Sequence, residues 1–384
     1  MIYIGFLLHA YQPPTQSDKV VRQIFKESYD PVIRSLEENK NFSISLDIAK
    51  SLAEQLPMSF RERIRELYEE KKIELVNTAA YHYLLPLVPE HIVLKQLRLN
   101  IEYFQKHFIS DEKCPGIFPP ELAFSPALPA LFKKVGYSWF VADDGPFVYQ
   151  HSNLPQHEQA PQNWIPSYNK CGALLRSNYW SEKIAHKKYN SGKEFFMELV
   201  IGQAQWQKEL RTTRDSYIIL AIDFETIGHH HKNAISEFLI PFFSETFEHS
   251  SLTKIVPLEF IFHKFSKTDP EDQMPAGSWS TSKDDLKNNI PFPLWKHPDN
   301  YFHRLWNEFM DIAFAVMPDS PSVALRSLYD KAFYSCTPWQ HAHGNKEIAA
   351  WCMPMFKRLT KLLPKRPETQ KLIKIYEEMN AMLR

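Results

Sequence analysis

The sequence predicts an α/β barrel of alternating strands and helices, followed by a C-terminal region that is nearly all helix. Three observations lead there. Short apolar runs, rich in β-branched and aromatic residues, recur along the first two-thirds of the chain. Segments of helical pattern separate them. Past Pro298 the helical pattern is almost uninterrupted. A strand buried on both faces reads as a continuous apolar run, and strand–helix alternation builds right-handed parallel units.

Four of the runs end in side chains capable of chemistry. Tyr3–Leu8 runs into His9, and Gly116–Phe118 runs into Pro119-Pro120-Glu121. Trp139–Ala142 runs into Asp143-Asp144. Tyr217–Ile222 runs into Asp223-Phe224-Glu225 and then Gly228-His229-His230-His231. In barrels of this type the active site collects at the carboxyl ends of the strands. One polar residue after one strand means little, but four endings rich in carboxylates and imidazoles indicate an enzyme.

Between these runs, Ser17–Glu38 reads as helix and Asp47–Gln55 as a second one. Ser59-Phe60-Arg61-Glu62 has the form of a capping box opening a helix to Lys71, and Ile73–Val76 reads as a strand. Pro89 opens a long helix to Phe108 with Val93, Leu97, Ile101 and Phe104 on one face. Pro126–Val135 is a helix closed by Gly136, and Gly192–Leu210 is another. Residues 145–170, rich in Pro, Gln, Asn and His, read as a long loop over the cleft. Lys267–Asn289 reads as a junction, which divides the chain into a barrel over 1–266 and a helical region over 290–384 packing on the barrel rim. Its helices fall at Tyr301–Ala315, Pro321–Tyr334, Lys346–Leu362 and Glu368–Leu383.

The chain of 384 residues suits one barrel of about 250 residues plus an appended region. Lys+Arg and Asp+Glu are both 45, so a nucleic-acid or acidic-membrane partner, which calls for a basic excess, is not expected. No apolar stretch is long enough for a membrane span, and residues 2–8 are too short for a signal segment. The four scattered cysteines, without a C-x-x-C, fit a reduced, cytoplasmic protein. Aromatic residues make up 14 %, which serves core packing and also suits a cleft that stacks on sugar rings.

Glu121 lies between prolines and apolar residues, so it is either a buried, paired structural carboxylate or a rigidly held nucleophile or acid. Asp223 and Glu225, at i and i+2 of a strand end, can reach the same face. The histidine run at 229–231 invites a metal reading, yet adjacent histidines diverge on any regular backbone and do not make a ligand set. His9 and Gln12 lie at the end of the first strand, and His82 follows the Ile73–Val76 strand. Each alone is ordinarily a satisfied structural residue. Core packing is the default for each of Trp279, Trp295 and Trp339.

Taken in order, these motifs resemble glycoside hydrolase family 57, whose members act on α-glucans. The family's opening His-x-His-Gln-Pro is similar to His9-Ala10-Tyr11-Gln12-Pro13, and its Trp-Leu-Pro-Glu to Phe118-Pro119-Pro120-Glu121. Lys72–Val76 followed by Tyr81-His82, and Asp223–His230, resemble the second and fourth motifs. Gly277-Ser278-Trp279, Pro293–Lys296 and Ser335–Trp339 resemble those of the helical region. The resemblance implies an incomplete (β/α)7 TIM-like barrel with a C-terminal helical region. It implies Glu121 as nucleophile and Asp223 as general acid/base, with carboxyl groups about 5–5.5 Å apart, and no cofactor or metal. His9, Gln12, His82, Phe118, Glu225, His229, His230, Trp279 and Trp339 become the candidate substrate-binding residues. Tyr11, Phe118 and Phe224 depart from the family pattern and bear on the sugar subsites. The implied activity is cleavage or transfer of α-glycosidic bonds in an oligo- or polysaccharide. An α-galactosidase-type glycosidase, a metal-dependent polysaccharide deacetylase and a catalytically silent glucan-binding protein remain as alternatives.

Overall fold

A computed structural model describes residues 1–109, 114–150, 162–270 and 272–384. Its strands are β1 (Ile2–Ala10), β2 (Ile44–Ile48), β3 (Ile73–Val76), β4 (Gly116–Ile117), β5 (Trp139–Asp143), β6 (Trp164–Tyr168), β7 (Cys171–Arg176), β8 (Ser216–Asp223), β9 (Thr253–Ile255) and β10 (Ser266–Thr268). Seven of them, in the order β1-β2-β3-β4-β5-β7-β8, form a parallel sheet nearly closed into a barrel. Two seams are thin. β3 meets β4 through the bridge Asn77↔Ile117, and β7 meets β8 through Arg176↔Ile219. β6 folds back on β7 as an antiparallel hairpin, with Tyr168 opposite Cys171.

Side-chain alternation sorts each strand into an inner and an outer face. On β1, Ile4, Phe6 and Leu8 face outward to the helices, whereas Tyr3 and Leu7 belong to the interior cluster. The same parity continued by one step turns His9 inward. On β8 it is Tyr217, Ile219 and Ala221 that fill the interior, and Asp223 follows them in register opposite His9. Trp139 and Val141 lead in the same way to Asp143 on β5, and Leu174 to Arg176 on β7. The strand ends therefore deliver polar groups to one end of the interior.

The other end is plugged. Helix Leu258–Lys264 sends Leu258 and Ile261 into the interior cluster. A Cβ on Gly5 would stand 2.4 Å from Leu258 Cδ2, so a larger residue at this inward position of β1 would make the plug's side chains shift. Inward-facing Glu74 on β3 accepts hydrogen bonds from the backbone N–H groups of Leu258 (2.7 Å) and Glu259 (2.8 Å), and from the Ser45 hydroxyl.

The C-terminal helices Tyr301–Ala315, Val323–Lys331, Met353–Leu362 and Pro367–Met382 share one apolar cluster. Phe309 and Phe356 stack within it at 4.3 Å. The cluster includes Ala80, Tyr81, Tyr83 and Ile92, so the helical layer is packed on the segment that follows β3. Among the described residues no helix is long and apolar enough to cross a membrane.

Several local expectations need correction. Asp47 does not open a helix. It lies in β2, and the helix there is Lys50–Ala53. The helix expected from the capping box starts earlier, at Met58 after Pro57, so Ser59 sits inside its first turn. The loop expected over 145–170 holds the helix Asp144–Gln150 and strand β6, while residues 151–161 lie outside the described set. A further helix, Cys336–Ala342, begins just after the Tyr334 expected to end one.

Candidate active site

Glu121 is set by its backbone before any side-chain contact. Pro119 approaches in an extended conformation, Pro120 opens a short turn, and Glu121 and Leu122 then both adopt left-handed conformations (φ 61 and 48). Such conformations are costly for residues other than glycine and concentrate at functional sites. The Glu121 carbonyl accepts from the Trp279 backbone N–H at 3.2 Å, which ties the turn to the segment that follows β10.

The Glu121 carboxyl accepts two hydrogen bonds, from Trp279 Nε1–H to Oε2 (3.0 Å) and from the Ser335 hydroxyl to Oε1 (2.9 Å). Burial pushes it up to about 7, and the negative charge of Asp223 pushes in the same direction. Ser335, His9 and Trp279 oppose that rise. Asp223 ends β8 and is only half-buried, so of the two it is the more open to solvent.

Behind Glu121 lies a chain of buried polar groups. His9 Nδ1 is 2.7 Å from Asp47 Oδ2, and its Nε2 is 2.9 Å from His82 Nε2. His82 Nδ1 is 2.8 Å from the Ser335 Oγ that also contacts Glu121. Burial alone pulls the His9 imidazole down. The Asp47 carboxylate, aided by Asp223 and Glu121, outweighs it and holds His9 at about 9. Burial, together with the charge on His9, drives His82 well below its ordinary value, so His82 is the neutral member of the pair. Phe118 is wholly buried and stacks on His9 at 4.7 Å, and Tyr11 stacks on His82 at 3.7 Å.

The remaining candidates separate into held and open groups. Gln12 Nε2 donates to Glu225 Oε1 at 2.6 Å, and the Tyr29 hydroxyl donates to the same oxygen. Burial lifts Glu225 to about 7, with Asp223 adding to the effect. His229 pairs with Glu27 at 2.5 Å, His231 contacts the Ala185 carbonyl at 2.9 Å, and His230 is exposed. Trp339 is half-buried beside Leu84, Ala123, Phe292 and Trp295, with its ring 4.1 Å from that of His343. It is Trp295 that reaches toward Glu121 indirectly, by donating to the Ser335 carbonyl at 3.1 Å. Among the described residues no group of three or more His, Cys, Asp or Glu is arranged to hold a metal ion.

Asp47, Ser335 and Arg176 escape the sequence reading. Arg176 is buried, paired with Asp143 and Glu182 at 2.8 Å each, and its guanidinium lies 5.5 Å from the Trp279 ring. It therefore backs the indole that holds Glu121. The available signals are an alternating run that reaches Asp47 and a small apolar run that ends in Arg176.

The barrel brings two carboxyl groups to its strand ends and an indole donor onto one of them, and the comparisons with known proteins say which family this arrangement belongs to. Residues 7–274 match the model of glycosyl hydrolase family 57, and the chain belongs to that family. The chain is 25 % identical over 149 residues to α-amylase 1 of Dictyoglomus thermophilum, a match covering 38 % of this chain and 21 % of that protein. The match thus spans about a fifth of that relative's length. The fold is shared with the family-57-type branching enzyme of Pyrococcus horikoshii (TM-score 0.73, 15 % identity, 98 % of this chain and 94 % of that one). It is also shared with the 4-α-glucanotransferase of Thermococcus litoralis (TM-score 0.72, 15 % identity, 95 % of this chain and 60 % of that one).

Proposed function

We propose that this protein cleaves or transfers α-glycosidic bonds, with α-1,4-glucan as substrate, by a retaining double displacement. The observation that carries the reading is Glu121. It is a buried carboxylate in a left-handed turn, held by two side-chain donors, at the strand ends of a family 57 barrel. In the first step Asp223 gives its proton to the leaving oxygen while Glu121 attacks the anomeric carbon. In the second step Asp223 takes a proton from water or an acceptor sugar, which displaces Glu121. The pair requires carboxyl groups about 5–5.5 Å apart when sugar is bound. Trp279 and Ser335 fix the carboxylate for in-line attack, since their donors are already in place.

Sugar contact falls to the groups that reach solvent: His230, Trp279 and Trp339. His9, Gln12, His82, Phe118 and Glu225 are buried and act from behind, and His229 is held by Glu27. Residues 1–266 form the catalytic barrel, and 290–384 form a helical cover that brings Ser335 to Glu121. Free thiols at all four cysteines support a cytoplasmic setting.

The test is incubation of the purified protein with maltooligosaccharides and aryl α-glycosides, with product mapping and NMR of the first-formed anomer. Shortened or redistributed glucans of retained α configuration support the reading. Binding without product, or release of acetate from an acetylated glycan, overturns it.

A further inference from the structure

The contacts from Asp47 to Glu121 form one unbroken hydrogen-bonded line: Asp47 Oδ2, His9 Nδ1, His9 Nε2, His82 Nε2, His82 Nδ1, Ser335 Oγ and Glu121 Oε1. All five residues are at most 8 % exposed. The two imidazoles are joined nitrogen to nitrogen, so one of the facing atoms must carry a proton and the other must not. That constraint allows two self-consistent arrangements along the whole line. In the first, His9 is protonated on both nitrogens and donates to Asp47 and to His82. His82 donates from Nδ1 to Ser335, and Ser335 donates to an ionised Glu121. In the second, Glu121 carries the proton and donates to Ser335. Ser335 donates to His82 Nδ1, His82 donates from Nε2 to His9, and His9 is neutral.

The two arrangements hold the same number of protons. Passing from the first to the second breaks His9 Nε2–H, His82 Nδ1–H and Ser335 Oγ–H. It forms His82 Nε2–H, Ser335 Oγ–H and Glu121 Oε–H. The net effect moves one positive charge from His9 to neutralise Glu121, without exchange with solvent.

We propose that Asp47, His9, His82 and Ser335 are a proton relay that parks the Glu121 proton on His9, with Asp47 holding it there. Ser335 touches the Glu121 carboxyl directly, whereas Asp47, His9 and His82 act through it and are positioning residues. Their catalytic meaning rests on the reading of Glu121 as nucleophile, but the coupling is a property of the resting protein. In the first arrangement Glu121 is ionised for attack, and Ser335 stabilises it again as the leaving carboxylate of the second step. The high value held by His9, about 9, and the depressed value of neutral His82 match this arrangement. Asp223 also faces both Glu121 and His9, with Tyr11 and Cys336 beside Glu121, and Arg176 stands behind Trp279. The test must therefore separate relay from through-space charge.

The experiment follows the Glu121 carboxyl by 13C NMR across pH, assigned by difference from Glu121→Gln, in wild type, Asp47→Asn, Ser335→Ala and the double variant. The fold of each is checked by near-UV circular dichroism. Removing the Asp47 charge while His9 stayed protonated would lower the Glu121 midpoint. If Asp47 holds the proton on His9, Asp47→Asn instead raises it by about one pH unit, because His9 loses its charge, and the Ser335→Ala arm then separates the relay from the through-space part of that shift. The relay also predicts that Asp47→Asn has no such effect once Ser335→Ala has cut the line. If Asp47→Asn fails to fold, His9→Gln takes its place. A midpoint that falls or stays put in Asp47→Asn, or an Asp47→Asn shift of equal size with and without Ser335, overturns the relay. If Glu121 is not the nucleophile, the same variants leave the acid limb of kcat/KM unmoved while the NMR coupling persists.

Discussion

Glu74 and Glu121 sit at opposite ends of the barrel interior, and burial pushes both up to about 7. Burial and a raised value are therefore shared by a carboxylate that ties elements together and by the proposed nucleophile. Their partners do. Glu74 is bound by backbone N–H groups at the start of the plugging helix and by Ser45, so its oxygens are spent on closing the floor. Glu121 is bound by side chains alone, in a strained turn, with a second carboxylate acting on it. The lesson concerns what a donor set can do. Backbone donors lock a carboxylate into the fold, whereas an indole and a hydroxyl fix its direction and leave its charge adjustable.

The largest effect that would break this comparison is a matched pair of variants. Glu121→Gln should lower glucan-cleaving activity by about 10⁴-fold or more with little loss of stability, because the amide cannot attack. Glu74→Gln should keep activity per folded molecule. It should cost about 1–3 kcal/mol in urea unfolding, because the amide NH₂ is turned against a backbone N–H. Equal losses of activity in both variants would erase the distinction between the two ends. A smaller effect is expected at the indole. Trp279→Phe keeps a ring in place but removes the donor to Glu121, and kcat/KM should fall by about 10–100-fold. Its acid limb should also move to higher pH. An unchanged limb would show that the Trp279 bond does not support the ionised form.

The smallest effect is on stability. His9 binds its proton more tightly folded, at about 9, than at its ordinary 6.5. Its contribution is therefore complete below pH 6.5 and is lost as pH rises through 9. Wild type should lose unfolding free energy relative to His9→Gln across that window. A constant difference would mean that His9 is not held charged.

How much was legible in the sequence follows from the same strand parity. β1, β5 and β8 announce themselves as apolar runs, and β4 as a brief one, so the residues at or just past their ends, His9, Asp143, Asp223 and Glu121, are legible. Asp47 and Arg176 were missed because their strands were missed. β2 passes almost directly into the helix Lys50–Ala53, and β7 follows a polar segment that masked it. Ser335 opens the Ser335–Trp339 motif, but nothing within that motif points to Glu121. Its contact with Glu121 spans 214 positions and depends on Trp295 holding its carbonyl from another part of the helical layer. Phe118, a candidate for sugar contact, is wholly buried, because it points into the interior cluster with Leu7, Val76 and Leu122 and stacks on His9.

The central claim is that Glu121 forms a covalent bond to the sugar. Treating the protein with a 5-fluoro-α-glycosyl fluoride, which slows breakdown of a glycosyl-enzyme, and mapping the adduct by peptide mass spectrometry tests it directly. The account predicts one added glycosyl mass on the peptide containing Glu121, absent when Asp223 is intact but Glu121 is replaced by Gln. A stable adduct on Glu225, Asp223 or Glu74, or turnover with no adduct and an inverted product, would contradict it.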